Sequence, residues 1–306
     1  MSSAMNGFII IDKPAGITSH DVVSRVRRIL GTKKVGHTGT LDPFATGVLP
    51  VAVNDGTKAI PFLDEGFKCY EALMRLGVVT DTLDMTGKVL SEADCSAVDR
   101  SSLEMALIRF TGVISQVPPM FSAIKRDGQP LYKLARQGQD VERAARRVEI
   151  RSLELLSFAP PFVELRVRCS RGTYIRSLAD DIGADLGCGA ALQELRRTAS
   201  GPFEISAALS LEALEAAVSG AAMTDLFLSP YAALNHLVDI PLTDTGLFKV
   251  KRGISPAWAD TAVPTPIDCH EPILARLSCD NTLIAVAQLM PVIDNPVHII
   301  LKRVFV

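Results

Sequence analysis

The stretch Gly36-His37-Thr38-Gly39-Thr40-Leu41-Asp42-Pro43 sets two glycines, a histidine and an aspartate against a proline within eight residues. The glycines permit a tight backbone path close to a ligand. Pro43 fixes its own φ and pushes Asp42 toward an extended conformation. An aspartate held in this way on a loop over a sheet can project its carboxylate into a cleft. Taken alone, the loop fits an ordinary turn carboxylate before proline equally well. A phosphate-cradling loop fits it less well, because the pattern G-x-x-x-x-G-K-[ST] is absent.

Upstream, the apolar run Phe8-Ile9-Ile10-Ile11 ends at Asp12-Lys13-Pro14-Ala15-Gly16, which predicts a buried strand and a turn. Thr18 or Ser19 can cap a helix that carries Val22, Val23, Val26, Ile29 and Leu30 at helical spacing and stops at Gly31. Downstream, 33–47 reads as a loop and 48–53 as a central strand. Over 68–76, Tyr70, Ala72, Met74 and Leu76 share one side of a predicted strand. Helices are predicted over 103–110, 131–136 and 173–186, and strands over 148–158, 162–169 and 192–200. Strands and helices interleave without regular βαβ alternation, which predicts a mixed α/β (α+β) domain and not a doubly wound one. After about Asn235, prolines separate the short apolar runs 247–250, 273–277, 283–289 and 297–304. These predict small strands of a compact β domain, with a boundary near Leu237, giving domains 1–236 and 237–306.

The 306 residues are 48% hydrophobic and 22% charged, enough for one large core and a small one. The formal net charge of -2 does not advertise a polyanionic partner. Its distribution matters more, with Arg25, Arg27, Arg28, Lys33 and Lys34 in one cluster and Arg143, Arg146, Arg147 and Arg151 in another. Each cluster alone reads as a solvated face. The six cysteines form no C-x-x-C pair, which fits reduced thiols in the cytoplasm. No apolar stretch reaches membrane-spanning length, so no membrane partner is expected.

The stretch from Gly36 to Ile60, GHTGTLDPFATGVLPVAVNDGTKAI, resembles the catalytic motif of the TruB family, tRNA pseudouridine synthases that modify uridine 55 in the T loop. Other segments resemble that family in the right order: Ile11-Asp12-Lys13-Pro14, Lys68-Cys69-Tyr70, Arg75-Leu76-Gly77, the run from Pro118 to Lys125, Leu131 to Arg136, Gly172 to Leu178, and Leu195-Arg196-Arg197. The resemblance covers nearly all of the first 200 residues.

That resemblance implies a pseudouridine synthase fold with a central, largely antiparallel sheet. It also implies a reaction in which the C1′–N1 bond of a uridine breaks and a C1′–C5 bond forms, with no cofactor and no metal. Asp42 aligns with the family's nucleophile. Tyr70 aligns with the tyrosine stacked on the target base, and Arg176 with the arginine that pairs with the catalytic carboxylate. Tyr174 and Leu195 align with residues of the uracil pocket, and His37 with the histidine that fills the gap left by the flipped base. Lys13 and Pro14 are expected to support the active-site loop. Residues 247–253 resemble the small PUA-type RNA-binding β-barrel. The implied partner is the tRNA T stem-loop, met by a monomer without guide RNA or protein partner. Three other readings compete: an RNA-binding or tRNA-folding module, a guide-dependent synthase, and a glycoside hydrolase pairing Asp42 with an acid such as Asp12 or Asp64.

Overall fold

Phe8, Ile9, Ile10 and Ile11 are all buried, because strand β1 (Gly7–Lys13) is covered on both faces. The computed structural model describes residues 5–64, 66–126, 128–218, 226–265, 267–291 and 299–305. Within it β1 starts a nine-stranded sheet. The other strands are β2 (Val35–His37), β3 (Thr46–Val53), β4 (Phe67–Leu76), β5 (Gly112–Gln116), β6 (Arg146–Ala159), β7 (Phe162–Ser170), β8 (Ala190–Ser200) and β9 (Phe203–Glu204). The order is β1-β3-β8-β4-β7-β6-β5, with β2 added to β3 and β9 to β8. Every pairing is antiparallel except the short parallel contact of Thr46 and Gly47 with Arg196 and Arg197. The expected mixed fold around a largely antiparallel sheet is thus present.

Helices cover one face of this sheet: α1 (Ser19–Leu30), α2 (Arg100–Arg109), α4 (Ile175–Asp185) and α5 (Leu211–Val218), with the short α3 (Leu131–Arg136) outside the main layer. Thr18 caps α1, its Oγ1 accepting from the Asp21 amide while its own amide donates to the Asp21 carboxylate. Gly31 closes the helix at φ 62°. Ser19, the other candidate cap, turns inward instead and holds the loop that carries Asp42.

On the opposite face, Phe8, Ile10, Val48, Ala52 and Phe203 pack against Leu283, Val286 and Phe305 from the C-terminal part. That part is a four-stranded sheet in the order β10 (Val238–Pro241), β11 (Ile273–Cys279), β12 (Thr282–Leu289) and β13 (Ile299–Val304), with its own apolar cluster around Ile240, Val250, Leu277 and Ile284. Three of the four strands expected there are found, the last from residue 299, since 297 and 298 lie outside the described residues. The fourth is corrected: 247–250 lies in helix α6 (Asp244–Lys251) and not in a strand. Thr243 caps it by accepting from the Gly246 amide, Asp244 sits in its first turn, and Lys249 and Lys251 sit in its last. Four residues, three of them apolar, are too few to separate a helix from a strand by period, and the cap decides. The expected loop 33–47 also contains β2 and the first residues of β3.

Candidate active site

Asp42 sits on the connection from β2 to β3, and four fixed contacts set its path. The Ser19 hydroxyl accepts from the Leu41 amide at 2.9 Å and donates to the Leu41 carbonyl at 3.2 Å. The Pro43 carbonyl accepts from the Gly16 amide at 2.8 Å and from the Lys13 ammonium at 3.2 Å. Lys13 is fully buried and donates also to the carbonyls of Pro14 and Ile17. Burial pushes its ammonium down to about 8, with the Asp42 charge opposing the shift and Arg197 adding to it. The expected supporting role of Lys13 therefore has a geometry: it clamps the backbone one residue past Asp42.

Gly47 shows why a glycine stands where the loop enters β3. Its φ is +99°, and a Cβ there would lie 2.2 Å from the Arg197 carbonyl oxygen across the parallel contact. Gly47→Ala is expected to cost about 2–4 kcal/mol of stability by urea denaturation, since strain and clash act together. A loss under 0.5 kcal/mol would show that β3 and β8 separate freely.

The Asp42 carboxylate accepts from Arg176 Nε at 2.9 Å. Arg176 is 3% exposed and lies in the first turn of α4. Its two other nitrogens donate to the carbonyls of Thr82 and Phe121, each at 2.8 Å, and Nη1 lies 3.7 Å from the Asp84 carboxylate. The fork is thereby fixed on three sides, which aims Asp42. Enclosure raises the Asp42 carboxyl above its ordinary value, and the charge and hydrogen bond of Arg176 pull it back. Its side chain keeps 36% of its surface open, facing a cavity of about 360 Å³.

Tyr70, Tyr174, Arg176 and Leu195 line the same cavity with Asp42, so five of the six expected site residues converge. Tyr70 lies on β4 opposite Val167 on one side and Arg197 on the other. Burial raises its phenol above the ordinary value, against the pull of the Arg197 charge, so it is a neutral hydrogen-bonding group at neutral pH. Burial likewise raises Tyr174, opposed by the Ser122 hydroxyl. Leu195 is buried on β8 opposite Ala72. His37 stands apart, at the end of β2 opposite Val51, and is not in the cavity wall. It is half-buried, its Nδ1 has no hydrogen-bond partner among the described residues, and burial with the nearby Arg197 charge lowers its pKa and keeps it neutral.

Two cations of the site were not among the expected residues. Lys68 lines the cavity beside Tyr70, and Arg197 is fully buried, donating to the carbonyls of Val48 at 2.7 Å and Gly39 at 2.9 Å. A signal existed for both: Lys68 and Tyr70, like Leu195 and Arg197, are two apart and share a strand face. A larger cleft of about 520 Å³ opens on the other face of β4, beside Phe67 and Cys69. Burial raises the Cys69 thiol, so no activated nucleophile lies there. Among the described residues, no three His, Cys, Asp or Glu side chains cluster as a metal site requires.

A family model described as TruB family pseudouridylate synthase (N terminal domain) matches residues 27–175. One described as tRNA pseudouridylate synthase B C-terminal domain matches residues 176–235. The chain is 55% identical over 284 residues to a tRNA pseudouridine synthase B of Geotalea uraniireducens, covering 93% of this chain and 92% of that one. It is 52% identical over 283 residues to the protein of the same name in Geobacter sulfurreducens, covering 92% and 93%. Among solved structures, a chain of a Cbf5-Nop10-Gar1 complex matches with a TM-score of 0.76 at 29% identity, over 99% of this chain and 86% of that one. A chain of an H/ACA RNP bound to a substrate RNA containing 2′-deoxyuridine matches with a TM-score of 0.74 at 27% identity, over 98% and 85%. The chain therefore belongs to the TruB family of pseudouridine synthases, which are isomerases.

Proposed function

We propose that this protein isomerises uridine 55 in the T-arm loop of tRNA to pseudouridine, with Asp42 as nucleophile on a uridine turned out of its stack. The observation that carries this reading is the Asp42–Arg176 pair, set in a cavity walled by two tyrosines and Leu195. A cavity of about 360 Å³ lies at the lower end of the range for small-ligand sites, a size suited to one nucleoside and not to a base pair. Uracil entering it would lie between the Tyr70 ring and Leu195, and stacking there offsets part of an unstacking cost of a few kcal/mol.

Arg176 opposes the enclosure that raises the Asp42 carboxyl, and so favours the ionised state a carboxylate nucleophile needs. Breaking C1′–N1 leaves the base as an anion, rotation brings C5 to C1′, and the new C–C bond is completed when the proton on C5 leaves and N1 gains one. Tyr70, neutral at physiological pH, can hold the base by a hydrogen bond but is a weak acceptor for that proton. His37, neutral and outside the cavity wall, would fill the gap left in the RNA loop by the flipped base. Residues 1–236 carry the chemistry, and 237–306 form a PUA-like RNA-binding unit. The enzyme works in the cytoplasm as a single chain, without guide RNA.

Tritium release from tRNA labelled at C5 of uridine tests the activity, and mapping the modified position in that tRNA tests the site. Modification away from position 55 would refute the assigned specificity. Because backbone phosphates would meet the Arg and Lys side chains, tRNA binding should weaken with salt by about one logarithmic unit of slope per phosphate contact. Filter binding between 50 and 200 mM salt reads this slope, and a flat response would count against an RNA-backbone interface.

A further inference from the structure

We infer that Gln116 is a positioning residue for the reaction, holding Tyr174 and, through it, Arg176 in the geometry that Asp42 needs. This rests on the proposed roles of Asp42 and Arg176. Gln116 is the last residue of edge strand β5 and is 2% exposed. Its carboxamide pairs with both backbone groups of one residue: Oε1 accepts from the Tyr174 amide at 2.8 Å, and Nε2 donates to the Tyr174 carbonyl at 3.1 Å. The partners are 58 residues apart in the chain.

Tyr174 needs such a partner. It is the N-cap residue of α4, in extended conformation at φ -102° and ψ 109°, and its own side chain makes no capping hydrogen bond. Its amide points out of the helix, and its carbonyl already accepts from the Leu178 amide at 3.0 Å. A planar amide that reads both groups fixes the orientation of this peptide as a neighbouring strand would. Tyr174 projects into the cavity from this point, and Arg176 follows two residues later.

The clamp continues past Gln116 along the chain. Ser177 Oγ donates to the Val117 carbonyl at 3.1 Å, and Arg176 Nη2 donates to the Phe121 carbonyl. The first turn of α4 is thus tied to 116–121 at four hydrogen bonds, and two of them come from one side chain. Gln116 itself is absent from the cavity wall, so it acts through Tyr174 and does not touch the reacting atoms.

Gln116→Met keeps the length of the side chain and removes both hydrogen bonds. In tritium release it is expected to lower kcat on the order of tenfold or more while KM changes less than threefold, because hydrogen bonds to buried groups left unmade act on the aim of the site and not on the RNA face. In the same variant, ¹³C NMR titration of the Asp42 carboxyl is expected to show a pKa higher than in the unaltered protein, as Arg176 loosens. An unchanged kcat together with an unchanged Asp42 titration would overturn the inference. So would a KM increase with kcat preserved. If Gln116→Met does not fold, Gln116→Glu, which still accepts from the Tyr174 amide, is subjected to the same two measurements with the same expected directions. An inactive unaltered protein would refute the proposed function instead, and the Asp42 titration would still decide the role of Gln116.

Discussion

Asp42→Asn is expected to reduce tritium release from 5-labelled uridine in tRNA by about 10³-fold or more, with little change in folding. The amide is nearly isosteric and can still meet Arg176 through its carbonyl oxygen, so the three-sided hold on the guanidinium survives. What would be lost is the proposed nucleophile, and removing a group that makes a covalent bond usually costs several orders of magnitude. Thermal melting within about 4 °C of the unaltered protein would show that the fold is intact. tRNA binding should persist, because no phosphate contact is removed. Normal release by a folded Asp42→Asn would refute the assignment of the nucleophile.

Arg176→Met should damage both activity and stability, and the second effect separates it from the first variant. The change leaves the carbonyls of Thr82 and Phe121 without their donor and the carboxylates of Asp42 and Asp84 without their cation. Breaking one partner of a buried charged network typically costs about 3–5 kcal/mol, which urea denaturation can read. Activity should fall about 10²-fold or more. The pH profile gives a sign as well. Enclosure favours the neutral form of Asp42 and Arg176 opposes it, so removing Arg176 raises the carboxyl further. The acid limb of kcat/KM, which reports Asp42 losing its proton, therefore moves to higher pH in Arg176→Met. A limb that stays in place, or moves to lower pH, would show that another group titrates there.

Most of the sheet was legible because its strands carry the period-two signal over many residues. In β4, Tyr70, Ala72, Met74 and Leu76 are buried while Cys69, Glu71, Leu73 and Arg75 are not, as the alternation requires. The caps of α1 were legible to within one residue, since Thr18 or Ser19 at its start and Gly31 at its end are local chemistry. Helix α6 was not, because a four-residue run with three apolar side chains fits either period and the Thr243 cap distinguishes them. The site divides in the same way. Asp42, Tyr70, Tyr174, Arg176 and Leu195 were reached through motif resemblance, and their convergence is a property of the sheet order. Gln116 left no sequence signal at all: a glutamine after a short strand reads as solvent-facing until a helix start 58 residues later is placed beside it.

Strand β1 is a party wall. Ile9 and Ile11 belong to the interior that supports Asp42, while Phe8 and Ile10 belong to the interior shared with Leu283, Val286 and Phe305. Phe8 also meets Phe203 with ring centroids 5.3 Å apart. A chain cut after residue 236 would turn that shared side into an oily stripe in water, next to the strand from which Lys13 reaches the Asp42 loop. Such a truncation would sag and self-associate, so the C-terminal unit is a buttress for the loop that carries Asp42.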